Sequence, residues 1–248
     1  MDDGDTAVKV QHVSKSFAGR HVLDDVSFEV GAGEAFCLLG RSGVGKSVTL
    51  KLLIGLLKPD AGNISILGRN IGDLKGPSLA AVRKKIGFLF QDGALFDSIS
   101  VAENVAFPLR RHTNKSNKEI NAIVREKLKE VELANEGKKM PGELSGGMRK
   151  RVGLARALAL NPPILLVDEP SSGLDRITAA EIYELLLRLK QNKHVAQVVV
   201  THDVSGAKEL GTSFAVLDGG KIAALGSLEE LAHSGNRLVR ELAAMSEA

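Results

Sequence analysis

The sequence predicts an α/β fold, and three observations carry that expectation. Short strand-like apolar runs alternate along the chain with helical patterns. One such run, Ala35–Leu39, empties into a glycine-rich loop. Another, Ile164-Leu165-Leu166-Val167, ends in two adjacent carboxylates, Asp168 and Glu169.

The elements follow in order. Ala35–Leu39 is apolar throughout, as a strand buried on both faces requires. Leu50, Leu53, Ile54 and Leu57 then recur at helical spacing until Lys58-Pro59 stops the pattern. Ile64–Gly68 and Arg69–Ile71 read as antiparallel strand pieces, and Ile86–Phe90 as a further strand ending at Gln91. From about 98 to 160 the pattern is mostly helical, with Ile120, Ile123, Val124, Leu128 and Val131 in one apolar stripe. Pro163–Val167 and Val195–Thr201 return to strand, separated by a helix marked by Ile182, Leu185, Leu186 and Leu189. Phe214–Leu217 and Lys221–Ala224 flank Asp218-Gly219-Gly220, a hairpin signal. The tail from Ser227 reads as one or two short helices. No internal repeat or linker is visible, so residues 1–248 read as one domain, with the helical stretch inserted in the α/β core.

Composition sets the limits. The 248 residues are 44% hydrophobic and 25% charged, as in a globular protein with a sizeable core. No apolar run approaches the roughly 18 residues of a membrane-spanning helix. The acidic start, Met1-Asp2-Asp3-Gly4-Asp5, argues against a cleaved signal peptide. A net charge of +3 is too weak to argue for nucleic acid. The one cysteine, Cys37, lies in an apolar run and reads as a buried structural thiol.

The chemistry begins at Gly40-Arg41-Ser42-Gly43-Val44-Gly45-Lys46-Ser47, followed by Val48, which fits G-x-x-x-x-G-K-[ST] with a strand before and a helix after. Glycines let backbone N–H groups approach phosphates, and the helix N-terminus adds a favourable field. Lys46 is expected to pair with the β- and γ-phosphates, and the Ser47 hydroxyl to ligate Mg²⁺. Asp168 and Glu169 emerge at a strand end, where open α/β sheets bind ligands. There Asp168 is placed to support Mg²⁺ and Glu169 to polarise an attacking water. Leu144-Ser145-Gly146-Gly147-Met148 opens a helix whose first turn holds Arg149-Lys150-Arg151. These cations oppose the helix dipole by a few tenths of a kcal/mol each, so they are expected either to face a triphosphate or to be solvated.

Together these motifs make the chain resemble ATP-binding cassette (ABC) transporter ATPases. Walker A at Gly40–Ser47, the signature at Leu144–Met148, Walker B at Ile164–Asp168 and His202 occur in that family's order. The resemblance implies a P-loop fold with a RecA-like core, an antiparallel β subdomain and an α-helical subdomain. It implies ATP and Mg²⁺, with Phe17 stacking on adenine and Gln91 sensing the metal and the attacking water. Ser47, Gln91 and Asp168 would then surround the metal. Glu169, His202 and Gln91 would be catalytic. Ser145, Gly146, Gly147 and Met148 would act on ATP held by a second copy. Ser171–Asp175 looks like the D-loop that crosses that interface, although Arg176 stands where most members have proline.

Gln91–Ser98, Glu103–Leu109 and Met148 look like the ATPases of Mla/Mce-type phospholipid transport systems. Leu95, Phe96, Val105 and Phe107 are expected to border a groove for a permease helix, or to pack within the helical subdomain. The implied partners are a second ATPase subunit, transmembrane permease subunits and an Mce-domain lipid-binding subunit, with no nucleic acid. The implied location is cytoplasmic, peripheral on the inner membrane. Another cargo, such as an amino acid or an organic solvent, is the alternative. A nucleic-acid clamp would show tandem cassettes, long coiled-coil inserts or a zinc hook, and a non-hydrolysing scaffold would lack Lys46, Asp168, Glu169 or His202. His12, His21, His112, His194 and His233 match no motif and read as surface or packing residues.

Overall fold

The computed structural model describes residues 6–240 apart from Leu238, so the acidic stretch Met1–Asp5 lies outside the described residues. Strands β1 (Thr6–Phe17) and β2 (Arg20–Gly31) pair antiparallel. Next come β3 (Ala35–Leu39), helix α1 (Lys46–Leu53), β4 (Ala61–Ile66) and β5 (Arg69–Asn70). Helix α2 (Gly76–Arg83) and strand β6 (Ile86–Leu89) lead into α3 (Val101–His112), α4 (Asn117–Glu130) and α5 (Gly146–Ala157). The chain then runs through β7 (Ile164–Asp168), α6 (Arg176–Lys193), β8 (Ala196–Thr201), α7 (Val204–Leu210), β9 (Ser213–Asp218), β10 (Lys221–Gly226) and α8 (Leu228–Ala232).

Two sheets result. The smaller runs β2-β1-β4-β5 and is antiparallel. The larger runs β10-β9-β3-β8-β7-β6, parallel from β9 to β6, with β10 antiparallel at one edge. The β9–β10 turn is Gly219-Gly220, both with positive φ, which suits a two-residue hairpin on right-twisted strands.

Successive side chains of a strand point to opposite faces, and the central sheet uses this to wall off two cores. Ala35, Cys37 and Leu39 join Leu165, Val167, Val199 and the helices α3–α7. Phe36 and Leu38 join Ile164, Leu166, Val198 and Val200 with the small sheet and α1. Helices α3–α5 share the first of these cores with α6 and α7, so the helical stretch is packed onto the sheet layer.

The first helix is shorter than its apolar spacing predicts. It stops at Leu53, because Gly55 turns left-handed at φ 64°. The Gly55 amide donates to the Leu52 carbonyl, and that of Leu56 to Lys51. This six-to-one and five-to-two pairing closes the helix well before Pro59.

Candidate nucleotide site

All strands from β9 to β6 are parallel, so the ends of β3, β8, β7 and β6 meet at one edge of the sheet. Leu39 is in register with Thr201, and Val200 with Asp168. The loop after Leu39, the pair Asp168–Glu169, Gln91 and His202 are thereby brought together. Most of them border a cleft of about 740 Å³, whose lining includes Gly40–Gly43, Gly45–Val48, Gln91, Glu169 and His202 but neither Val44 nor Asp168. Ser172, from the D-loop segment, lines it too, and so does Val22, which no sequence signal marked.

The loop depends on two glycines. Gly45, at φ 114°, lies where a Cβ would come within 2.9 Å of the Val22 carbonyl. Gly40 would bring one to 2.6 Å of the Leu217 carbonyl. Lys46 is 5% exposed and folds back on the loop, donating to the carbonyls of Gly40 (2.8 Å) and Arg41 (3.0 Å). Its Nζ is also 3.1 Å from Glu169 Oε1.

Glu169 sits between two partners. Its other oxygen, Oε2, accepts from the His202 amide (3.2 Å) and lies 2.8 Å from His202 Nδ1. The backbone here is left-handed, φ 47°, in a residue that also precedes a proline. Glutamate rarely adopts that conformation, which takes this side chain out of the alternation of β7.

The Ser47 hydroxyl donates to Asp168 Oδ1 at 3.0 Å. Burial holds the Asp168 carboxyl above the usual carboxylate range, with the negative charge of Glu169 adding to the effect. A hydroxyl and a partly buried carboxylate in contact form an oxygen donor pair suited to a hard divalent cation. Gln91 turns the other way, its Nε2 donating to Ser172 Oγ at 3.2 Å.

A buried support stands behind His202. Tyr183 Oη donates to Thr201 Oγ1 (3.1 Å), which accepts the Asp203 amide (3.0 Å), and the Tyr183 ring packs where Gly206 has no side chain. Burial raises the pKa of Tyr183, keeping it a neutral donor. A lone tyrosine among the apolar residues of a helix stripe gives no warning of this role.

Other expected residues lie apart. Phe17, 43% exposed, ends β1 beneath Lys15 and is not among the residues lining the cleft. Ser145 caps α5, accepting the Met148 amide, and none of Ser145–Met148 lines the cleft. Gly147 packs without a side chain against Thr178 of α6. Asp175 caps α6, and hydrogen bonds from Thr178 and from the Ile177 amide pull its carboxyl below the usual range. Arg176 is the first residue of that helix, so the cap forms without the proline that often occupies this position.

The three cations of the signature helix divide unexpectedly. Arg149 is exposed, but Lys150 and Arg151 are 3% and 8% exposed. Arg151 pairs with Glu132 and Glu181, and Lys150 donates to the carbonyls of Glu169 and Pro170. Neither solvent nor a triphosphate is needed to account for these two. Internal acceptors offset what the helix dipole costs.

The aromatic segment divides as well. Val105 is fully buried and Leu95 packs on the core. Phe96 and Phe107, 43% and 47% exposed, pack together at 4.8 Å beside Phe90, in a groove of about 560 Å³ rimmed by Arg83, Lys84 and Arg156. Asn104, buried beneath, bonds to both backbone groups of Phe96 and to the carbonyls of Ile99 and Ser100, fixing the groove's border.

A phosphate-cradling loop, two carboxylates, a glutamine and a histidine at the carboxyl edge of a parallel sheet define a P-loop nucleotide-binding protein. The family model for ABC transporters matches residues 23–172, and the chain belongs to that family, as an ATP-binding and ATP-hydrolysing cassette. It is 45% identical over 235 residues to a probable ribonucleotide transport ATP-binding protein, mkl, of Mycobacterium leprae, covering 95% of this chain and 68% of that one. It is 38% identical over 224 residues to the methionine import ATP-binding protein MetN of Clostridium tetani, covering 90% and 70%. It is likewise 38% identical over 234 residues to the intermembrane phospholipid transport system ATP-binding protein MlaF of Escherichia coli, covering 94% and 87%. Among solved structures, the dimeric post-hydrolysis cassette MJ0796, bound to ADP and Pi, superposes with a TM-score of 0.82 at 35% identity, covering 89% of this chain and 98% of that chain.

Proposed function

We propose that residues 1–248 work as a single ATP-binding unit that dimerises on ATP and drives a separate membrane permease, with phospholipid as the cargo class. The observation that carries the catalytic part is Glu169 held between Lys46 and His202 at the mouth of the phosphate loop. A polyphosphate on the loop gives Lys46 a stronger anionic partner than one carboxylate. Glu169 is then free to orient and polarise a water, while His202 keeps its ring beside the reacting phosphoryl group. Ser47 and Asp168 hold Mg²⁺, which supplies neutralisation of the phosphate charge. Gln91, released from Ser172, completes the set.

Two features support the dimer. Ser145–Met148 open a helix outside the chain's own cleft, and the structural relative MJ0796 is dimeric. Ser145 and the amides of Gly146 and Gly147 thus close on the ATP of the partner, excluding water when ATP is present.

No helix among the described residues is long and apolar enough to cross a membrane, and the exposed Phe96–Phe107 groove with its basic rim suits an amphipathic segment of a permease. The proposed location, beside that permease, is the cytoplasmic face of the inner membrane. The phospholipid assignment rests on MlaF among the relatives and on the residues shared with that group, and it brings an Mce-domain lipid-binding subunit as partner. The names of mkl and MetN favour the second reading, a ribonucleotide or an amino acid as cargo.

Purification in mild detergent, with mass spectrometry of the co-purifying proteins and lipids, decides between them. The expected result is a permease, an Mce-domain protein and bound phospholipid. A solute-binding protein specific for methionine or for a ribonucleotide in their place overturns the lipid reading.

A further inference from the structure

Lys150 is the side chain that the proposed chemistry leaves without a role. It stands two residues beyond Met148 in α5 and is 3% exposed. Its ammonium donates to the carbonyls of Glu169 (3.0 Å) and Pro170 (2.9 Å). Among the described residues it makes no ion pair within 4 Å, although Asp92, Asp168 and Glu169 act on it from farther off. A cation taken out of water is costly unless its surroundings use the charge. Here it grips the one turn in the site that is strained, the left-handed Glu169 before Pro170.

The rest of α5 is gripped equally firmly. Arg156 donates to the carbonyls of Gly93 and Ala94, 2.9 Å each, just beyond Gln91. Gly153 lies so close to Gly93 that a Cβ would come within 3.0 Å of its carbonyl. Arg151 bonds to Glu181 of α6. These attachments tie α5 to the segment after Gln91 and to α6, and Lys150 lies one turn from the N-terminus of the helix.

We infer that Lys150 is a positioning residue that couples the two nucleotide sites of the dimer, passing contact between the α5 N-terminus and the partner's ATP to the Glu169 turn of its own chain. The inference rests on the composite-site reading above. Each chain then readies its own water-polarising carboxylate only when its signature has found nucleotide on the other side. The result is cooperative turnover without any contact between the two ATP molecules.

The test is steady-state ATP hydrolysis by the intact protein, with ATP binding and thermal unfolding measured alongside. The wild type is expected to show a Hill coefficient between one and two, the ceiling for two sites. Lys150→Met should bring it to one and lower kcat about tenfold, the cost of a lost charged hydrogen bond, with ATP affinity unchanged. Lys150→Arg, which restores a cation with several donors, should recover the cooperativity. A Lys150→Met protein with the wild-type coefficient overturns the inference, as does a wild-type coefficient of one. So does a loss of ATP binding in step with the melting temperature, which marks Lys150 as a prop of the fold alone. ATP-induced dimerisation of Glu169→Gln checks the composite site separately. If that dimer forms and cooperativity is insensitive to Lys150, the inference fails and the reading stands.

Discussion

Glu169→Gln will cut ATP turnover by about 10³-fold, the middle of the range for loss of a general base, while leaving ATP bound. Glutamine keeps the length of the side chain and an acceptor for the His202 amide, so the turn after β7 survives. It loses the negative charge that polarises water and that neutralises Lys46 at 3.1 Å. Lys46 is then less restrained, and the loop holds the polyphosphate at least as well as before. Binding without hydrolysis has a visible consequence, since a dimer that closes on ATP cannot reopen. With ATP and Mg²⁺ the variant should elute as a stable dimer in size-exclusion chromatography with light scattering, and the wild type should not. Turnover within a few-fold of wild type removes Glu169 from the role given to it.

Ser145→Arg should abolish hydrolysis without weakening nucleotide binding by the isolated subunit. Ser145 touches nothing in its own cleft, and its only described task within the chain is to cap α5. Losing such a cap costs about 1 kcal/mol, a modest fraction of the stability of a domain this size. A long cation at that position instead blocks the approach of the α5 amides to the partner's ATP. Ser145→Asp separates the two effects. Aspartate is as good a cap as serine, yet it sets a negative charge against a phosphate, so turnover should still be lost while the melting temperature is kept. Restored turnover in Ser145→Asp would show that the cap alone mattered and that the site lies within one chain.

The site proved far more legible in the sequence than its supports. Gly40–Ser47, Asp168–Glu169, Gln91 and His202 are legible because each is a polar residue or glycine at the end of an apolar run, where only function explains it. The structure brings these together at one sheet edge. Strands β1 and β2 are hidden because bulges break their alternation, with register shifts at Val10/Val13 and Val13/Lys15. Helix α2 buries only Val82 and shows no stripe. Lys150 and Arg151 read as solvated because burial of a cation depends on distant carbonyls and carboxylates that no local pattern reveals. Val22 reaches the cleft only because β2 packs against segments far apart in sequence, its carbonyl close to both Gly45 and Gly220.

The division of the central sheet between two cores bears on how this molecule comes apart. Strand β3 contributes Ala35, Cys37 and Leu39 to one core and Phe36 and Leu38 to the other. Each core thus loses a wall if the other melts, and the cassette opens at its centre all at once or not at all. The sole cysteine sits at that shared wall, fully enclosed, its thiol pushed by burial up to about 12. A sulfhydryl reagent therefore meets Cys37 only in molecules that have come wholly undone, which makes this residue a natural sentinel for the lifetime of the native state.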